Sequence, residues 1–197
     1  MIGEDHFKEV LSMSEPVIRG ARLSDASRLL EIYAYYVEET AITFECAVPT
    51  LEAFQKRIET TLRRYPYLVL EQDGVIQGYA YAGPLNERAA YDWACELSVY
   101  LDRGARGHGF GRRLHEAMEA RLKDMGILNL YGRIAYPETE DERLTRNSAE
   151  FHEHLGFKKV GELHSCGYKF GRWYHILWME KTIGEHRTDP PPVRFPG

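Results

Sequence analysis

The stretch that most restricts the fold is Arg106-Gly107-His108-Gly109-Phe110-Gly111-Arg112, with three glycines at alternate positions. The apolar run Ala94 to Leu101 before it reads as a strand. A helix is expected from about Gly109 to Met125, with Leu114, Met118 and Leu122 facing inward and Gly126 as a natural stop. A glycine loop between strand and helix turns tightly and lets backbone approach a ligand with no Cβ in the way. The amides that open a helix, together with its dipole, favour an anion. Such a loop can cradle a pyrophosphate; the alternative is a surface loop without a ligand. Two familiar phosphate motifs are missing. No Gly-Lys-Ser/Thr ending follows, which argues against a nucleotide-hydrolysing loop. Glycines at 107, 109 and 111 also miss the G-x-G-x-x-G dinucleotide spacing.

Elsewhere the pattern gives a strand over Pro16 to Arg22, then a helix capped by Ser24 or Asp25 and running to about Thr40. A second helix starts near Thr50. Tyr67 to Glu71 and Val75 to Ala82 read as strands joined by Asp73-Gly74, a tight-turn pair. Ile127 to Ala135 is a strand, Tyr136 to Thr145 an acidic loop, and Arg146 to Leu155 a short helix. Phe157 to Ser165 and Tyr168 to Glu180 close the chain as an antiparallel pair. This β-α-α-β-β-β-α-β-α-β-β order is α/β with a mixed sheet, not a regular βαβ repeat.

The chain of 197 residues fits one domain, expected over 16–183. Residues 1–15 read as a flexible leader, and 184–197, with Asp189-Pro190-Pro191-Pro192, as a Pro-rich flexible tail. A hydrophobic share of 44% supplies a core. A net charge of -5 with both signs mixed gives no case for nucleic acid or an anionic membrane. No apolar run approaches the roughly 20 residues of a membrane span. Cys46, Cys95 and Cys166 are an odd set without paired spacing, which fits a reduced, cytoplasmic protein.

Arg-x-x-Gly-x-Gly between strand and helix resembles the acetyl-CoA motif of the GNAT acetyltransferase superfamily. Tyr81-Ala82-Gly83-Pro84, Ala90-Tyr91-Asp92-Trp93, Glu96-Leu97-Ser98-Val99-Tyr100, Phe151 to Phe157 and Gly167 to Trp173 narrow the likeness. Together they are similar to the phosphinothricin N-acetyltransferase branch, over about residues 17–181. The resemblance implies a single GNAT-like domain with a mostly antiparallel sheet of about seven strands and about four helices. It implies acetyl-CoA as co-substrate and a homodimer; no metal is expected. Its acceptor would be an amino-acid-like amine such as phosphinothricin, methionine sulfoximine or methionine sulfone. A polyamine, an aminoglycoside, a protein N-terminus or a non-catalytic acyl-CoA sensor are the alternatives.

Carried over residue by residue, the likeness makes Arg106, Gly107, His108, Gly109, Phe110, Gly111 and Arg112 the pyrophosphate cradle. It sets the backbone of Val99, Tyr100 and Leu101 beside the pantetheine arm. Acyl transfer needs a neutral amine, so a proton acceptor is required. Glu96, a carboxylate in an otherwise apolar strand, is the candidate, unless it simply faces solvent. The branch carries a proposed catalytic Glu at this place. His152, on the short helix, is the second catalytic candidate by resemblance; a structural imidazole is the alternative. His154, two residues on, points elsewhere, so the pair is a poor metal clamp. Asn147 contacts pantetheine or caps the helix, and Thr145 holds the family's usual Asn place. Phe44, Arg88, Tyr91, Glu96 and Ser98 are the expected acceptor-binding residues, Arg88 as a fork for a carboxylate or phosphinate. Cys95 should face away from Glu96 on the strand.

Overall fold

The computed structural model describes residues 14–196. The expected leader, as far as residue 13, lies outside the described residues. Seven strands form one sheet in the order β1-β2-β3-β4-β5-β7-β6. They are β1 Val17–Gly20, β2 Tyr67–Gln72, β3 Val75–Pro84, β4 Ala94–Leu101, β5 Asn129–Tyr136, β6 Lys158–Lys169 and β7 Arg172–Thr182. Four helices accompany them: α1 Ala26–Glu39, α2 Leu51–Leu62, α3 Phe110–Met125 and α4 Asn147–His154. Thr50 caps α2 through its side chain, and Gly126 ends α3 in the left-handed region at φ 98°.

All neighbouring strands run antiparallel except β4 and β5, which are parallel. Their pairing covers only Ala94 to Glu96 against Asn129 to Tyr131. Beyond Glu96 the two strands part, and an unpaired strand edge opens in the middle of the sheet.

The alternation of the strands sorts side chains to the two faces of the sheet. Leu68, Leu70, Ala80, Cys95 and Leu97 pack against Leu114, Met118 and Leu122 of α3. Tyr67, Val69 and Tyr79 pack under Leu29, Tyr33, Phe54 and Ile58 of α1 and α2. Cys95 and Glu96 therefore face opposite sides, as the period of two requires.

The last hairpin differs from the sequence expectation. Its turn is Phe170-Gly171, at φ 50° and 74°, not the Cys166-Gly167 stretch. Strand β6 continues through an irregularity between Leu163 and Gly167, where Ser165 adopts φ 48°. Gly167 serves packing instead, because the Phe44 ring lies directly against it.

Both ends of the described segment are laid on the domain. The backbone N–H of Ser14 donates to Asp73 at 3.1 Å, and Gln72 donates to the Ser14 carbonyl at 2.8 Å. The segment read as a flexible tail makes equally definite contacts. Trp93 Nε1 donates to the Pro191 carbonyl at 2.9 Å, and Arg194 N to that of Met125 at 2.8 Å. Phe195 meets the Tyr65 ring edge-on at 5.5 Å.

Candidate active site

The gap between β4 and β5 leads into two adjoining spaces. One is a cavity of about 580 Å³ whose lining includes Phe44, Tyr81, Glu96, Ser98, Tyr100 and Arg133. The other is a narrow slot of about 60 Å³ lined by Val99, Tyr100, Arg133, Ser148 and His152, among others. Glu96 and Ser98 thus stand on the α1/α2 side, while His152 reaches the gap from α4.

Glu96 is half-buried, and burial pushes its carboxyl above the ordinary carboxylate range. Arg133 opposes this from β5, its Nε 3.3 Å from Glu96 Oε1. Sequence reasoning missed Arg133. Its signal was there: the alternation of β5 buries Leu130, Gly132 and Ile134 and turns Tyr131 and Arg133 to the other face. What the sequence did not reveal is that β5 lies beside β4.

His152 is buried, and its Nδ1 lies 2.7 Å from the Ser148 carbonyl oxygen. A carbonyl only accepts, so Nδ1 carries the proton and Nε2 keeps a lone pair. Burial lowers the imidazole pKa, so the ring is a proton acceptor more than a standing donor. Nε2 faces Gly132 of β5, where a Cβ would come within 3.2 Å of it.

The β4 backbone beside the gap is selectively free. The Tyr36 hydroxyl donates to the Leu101 carbonyl at 2.7 Å and accepts from the Leu101 N–H at 3.1 Å. Asp102 N donates across to Gln77 of β3 at 2.8 Å. By alternation Tyr100 also turns its backbone to β3, while Val99 and Leu101 turn theirs to the gap. Tyr36 occupies Leu101, which leaves the Val99 amide.

At the mouth of the gap, the loop before α3 divides its labour. Gly107 and Gly109 have φ of 82° and 77°, and a Cβ on either would meet nothing within 4 Å. Both residues are exposed, so an anion can approach their backbone with no side chain in the way. Gly111 is small for packing, since a Cβ there would lie 3.3 Å from Phe151. Phe110 is buried in the core, and its ring meets that of His108 at 5.7 Å. Arg106 turns back, its guanidinium 5.1 and 5.3 Å over the Tyr35 and Tyr36 rings. Arg112 is half-exposed and pairs only loosely with Glu116, at 3.7 Å. An open pair of glycine amides at a helix start, with a nearby arginine, fits a pyrophosphate.

The structure does not gather every expected residue. Phe44, Glu96 and Ser98 line one cavity. Arg88 and Tyr91 lie in the β3–β4 connection, before Ala94, where β4 and β5 are still paired; both are exposed, and neither lines the gap. Tyr91 borders a separate cavity of about 300 Å³ with Trp93 and His186. Asn147 opens α4 without capping it; the Thr145 hydroxyl accepts from its N–H at 3.4 Å. Cys95 is buried, its thiol pushed up to about 12, and so is no nucleophile at neutral pH.

Lys169, deep in the hairpin, donates to the Thr40 and Thr43 carbonyls, each at 2.8 Å. It clamps the α1–α2 segment that carries Phe44 over the cavity. The acidic loop is partly structural: Asp141 accepts from the N–H groups of Arg143 and Leu144 at 2.9 Å each.

A family model described as an acetyltransferase (GNAT) domain matches residues 18–178. The phosphinothricin N-acetyltransferase of Streptomyces viridochromogenes is 32% identical over 90% of this chain and 92% of its own. The L-methionine sulfoximine/L-methionine sulfone acetyltransferase of Salmonella typhimurium is 30% identical over 86% of this chain and 95% of its own. A GNAT phosphinothricin acetyltransferase from Sinorhizobium meliloti, solved in complex with acetyl-CoA, superposes with a TM-score of 0.82. It is 30% identical and the match covers 90% of this chain and 94% of that one. A parted β4–β5 pair, an exposed glycine loop at the start of α3 and a family match that reaches all seven strands agree: this chain belongs to the GNAT acetyltransferase family.

Proposed function

We propose that the protein acetylates the α-amine of a small amino-acid-like molecule of the phosphinothricin, methionine sulfoximine or methionine sulfone type. The observation that carries this is the gap itself. An acceptor cavity with a half-buried carboxylate lies on one side, and a slot with an acceptor imidazole adjoins it.

Acetyl-CoA supplies the acetyl group as a thioester. The open amides of Gly107 and Gly109, with Arg112, hold its pyrophosphate. The Val99 N–H polarises the thioester carbonyl, the role of a preorganised backbone donor. Glu96, directly or through one water, takes a proton from the acceptor's ammonium so that the nitrogen can attack. Its raised pKa suits this, because a base works best when its pKa lies near the operating pH. Arg133 keeps enough carboxylate present and offers its half-exposed guanidinium to the acceptor's own carboxylate, in place of the distant Arg88. His152 Nε2 receives a proton and hands one to the departing sulfur.

We further propose a homodimer. The final hairpin exposes Leu163, Tyr168 and Trp173 at 50%, 56% and 61%, an apolar patch that a second copy would cover. Leu163 and Cys166 also line the acceptor cavity. All three cysteines are free, which supports a reduced, cytoplasmic setting. No described helix is long and apolar enough to cross a membrane.

The test is CoA release from acetyl-CoA with phosphinothricin, methionine sulfoximine, methionine sulfone, ordinary amino acids, polyamines and an aminoglycoside. Turnover with the first group, lost in Glu96→Gln, is the expected result. Turnover confined to polyamines or the aminoglycoside would overturn the acceptor assignment.

A further inference from the structure

One face of the sheet carries a row of tyrosines to which acetyl transfer gives no part. Tyr67 of β2 stands directly opposite Tyr81 of β3 in the register, and Tyr79 falls two residues before Tyr81, on the same face. The three rings lie nearly parallel, with centroids 5.1 to 6.4 Å apart.

Where these rings meet α2 lies a groove of about 380 Å³. Tyr33, Phe54, Tyr67, Tyr79 and Tyr81 give it aromatic walls, and Ala53, Lys56, Arg57 and Thr60 border it from α2. Those last four are spaced as one stripe of a helix. The volume falls in the range of small-molecule pockets, about 300–1,000 Å³. Glu96, Val99 and His152 do not border it, so a molecule held there is bound and not acetylated.

Two features say what would fill it. Tyr67 and Tyr79 are 4% and 1% exposed, and neither hydroxyl has a hydrogen-bond partner among the described residues. A buried hydroxyl left so is costly, and phenylalanine would keep the ring without the cost. Second, the polar side chains of the lining are hydroxyls, an ammonium and a guanidinium, with no carboxylate among them. Lys56 and Arg57 hold Glu59 and Glu45, at 2.9 and 2.6 Å, but neither glutamate borders the groove. Exposed pairs of this kind contribute little. A guanidinium also has five donors, so Arg57 can take a second carboxylate without losing the first.

We propose that this groove is a second small-molecule site, distinct from the acceptor cavity, and that it takes an aromatic carboxylate. The ligand's ring packs among Phe54 and the tyrosines, where edge-to-face contacts favour an aromatic body over an aliphatic one. Its carboxylate meets Arg57. The Arg57 charge already acts on the Tyr67 hydroxyl, so the two donors share one carboxylate, and the hydroxyl gains the acceptor it lacks. Tyr33 and Tyr81 wall both spaces, which sets this ligand back to back with the acceptor.

The test reads binding alone, with no acetyl-CoA present, so this site and the acetyl-transfer reading stand or fall separately. The probe is phenylacetate, titrated against the full chain by ligand-observed NMR. Saturation with a Kd of about 1 mM or tighter is expected from the usual yield per atom of so small a ligand. Phenylacetamide, which keeps the ring and loses the charge, should bind about tenfold more weakly. Arg57→Met and Tyr67→Phe should each weaken phenylacetate by about tenfold, the effect of one hydrogen bond to a charged group. Thr60→Trp, which fills the groove from an exposed helix position, should abolish binding. Arg133→Met, in the acceptor cavity, should leave it unchanged. Binding lost in Arg133→Met and kept in Thr60→Trp would put the probe in the acceptor cavity and overturn the proposal. No saturation by about 10 mM, or an equal Kd for phenylacetamide, would overturn it too. Should Thr60→Trp not fold, Arg57→Met and Tyr67→Phe decide: wild-type Kd in both refutes the site.

Discussion

A single methyl group added at Gly167 should injure the acceptor site while leaving the CoA side untouched. In Gly167→Ala the new Cβ would lie 2.0, 2.4 and 2.6 Å from three carbons of the Phe44 ring. Carbon atoms rest at about 3.5–4.0 Å, so the ring must retreat by about 1.5 Å. It has little room to do so. Lys169 pins the Thr40 and Thr43 carbonyls on one side, and the Tyr174 ring sits 6.2 Å away. The ring therefore swings into the cavity it shares with Glu96, or the segment lifts. Overpacking of this kind costs about 1–3 kcal/mol. In a domain of this size each kcal/mol lowers Tm by about 2–4 °C. A positioning group displaced by about 1 Å can cost about a hundredfold in rate. Steady-state kcat/KM for the acceptor should drop by that order, while the acetyl-CoA Kd from calorimetry should hold. Adding Phe44→Leu should recover much of the lost Tm, a coupling that only touching side chains show. An acceptor kcat/KM within about twofold of wild type in Gly167→Ala would refute the placement of Phe44 against the substrate.

Glu96→Gln should abolish most turnover yet raise Tm at pH 7. The folded-state pKa of Glu96 is raised by burial, so the carboxyl favours folding while protonated and that contribution is lost as pH rises through its folded pKa; thermal melts at pH 5 and 7 check the sign. Arg133→Met should move the acid limb of the kcat/KM profile to higher pH, because the lost cation raises the Glu96 pKa further; an unmoved limb would remove Glu96 as the titrating base. Gly132→Ala should lower kcat with little change in acetyl-CoA KM, since its Cβ would lie 3.2 Å from His152 Nε2 and Cδ2. His115→Leu should resist acid unfolding. The native ring stays neutral to about pH 3 while the unfolded one titrates near 6.5, so stability falls by about 1.4 kcal/mol per pH unit between them. Acid titration of both proteins by circular dichroism measures the difference.

Much of this molecule can be read without coordinates wherever the physics is local. The positive φ that Asp73-Gly74 requires, the period of two that sets Cys95 against Glu96 and the Gly126 stop each depend on a few adjacent residues. The glycine loop is of the same kind, although only backbone angles and neighbours show that Gly107 and Gly109 are open while Gly111 is packed. The hairpin turn was misplaced because Gly167 looks like a turn residue, and its actual reason, the Phe44 ring, lies over 120 positions away in the chain.

The site itself is a product of distance in sequence and nearness in space. Arg133 meets Glu96 only because β4 and β5 are neighbours for three residue pairs and then part. The same parting leaves Arg88 and Tyr91 behind the paired end. Arg106 is drawn to Tyr35 and Tyr36, and Leu101 is taken by the Tyr36 hydroxyl, through a helix that begins 75 residues before that strand's end. His115 reads in the sequence as one more helical residue beside Leu114; its isolation beside His152 exists only once α3 and α4 pack together. Residue types and local spacing determine which elements form and which chemistry is present. Which groups face one another, and which are left without a partner, depends on long-range burial, and no short stretch of sequence contains that.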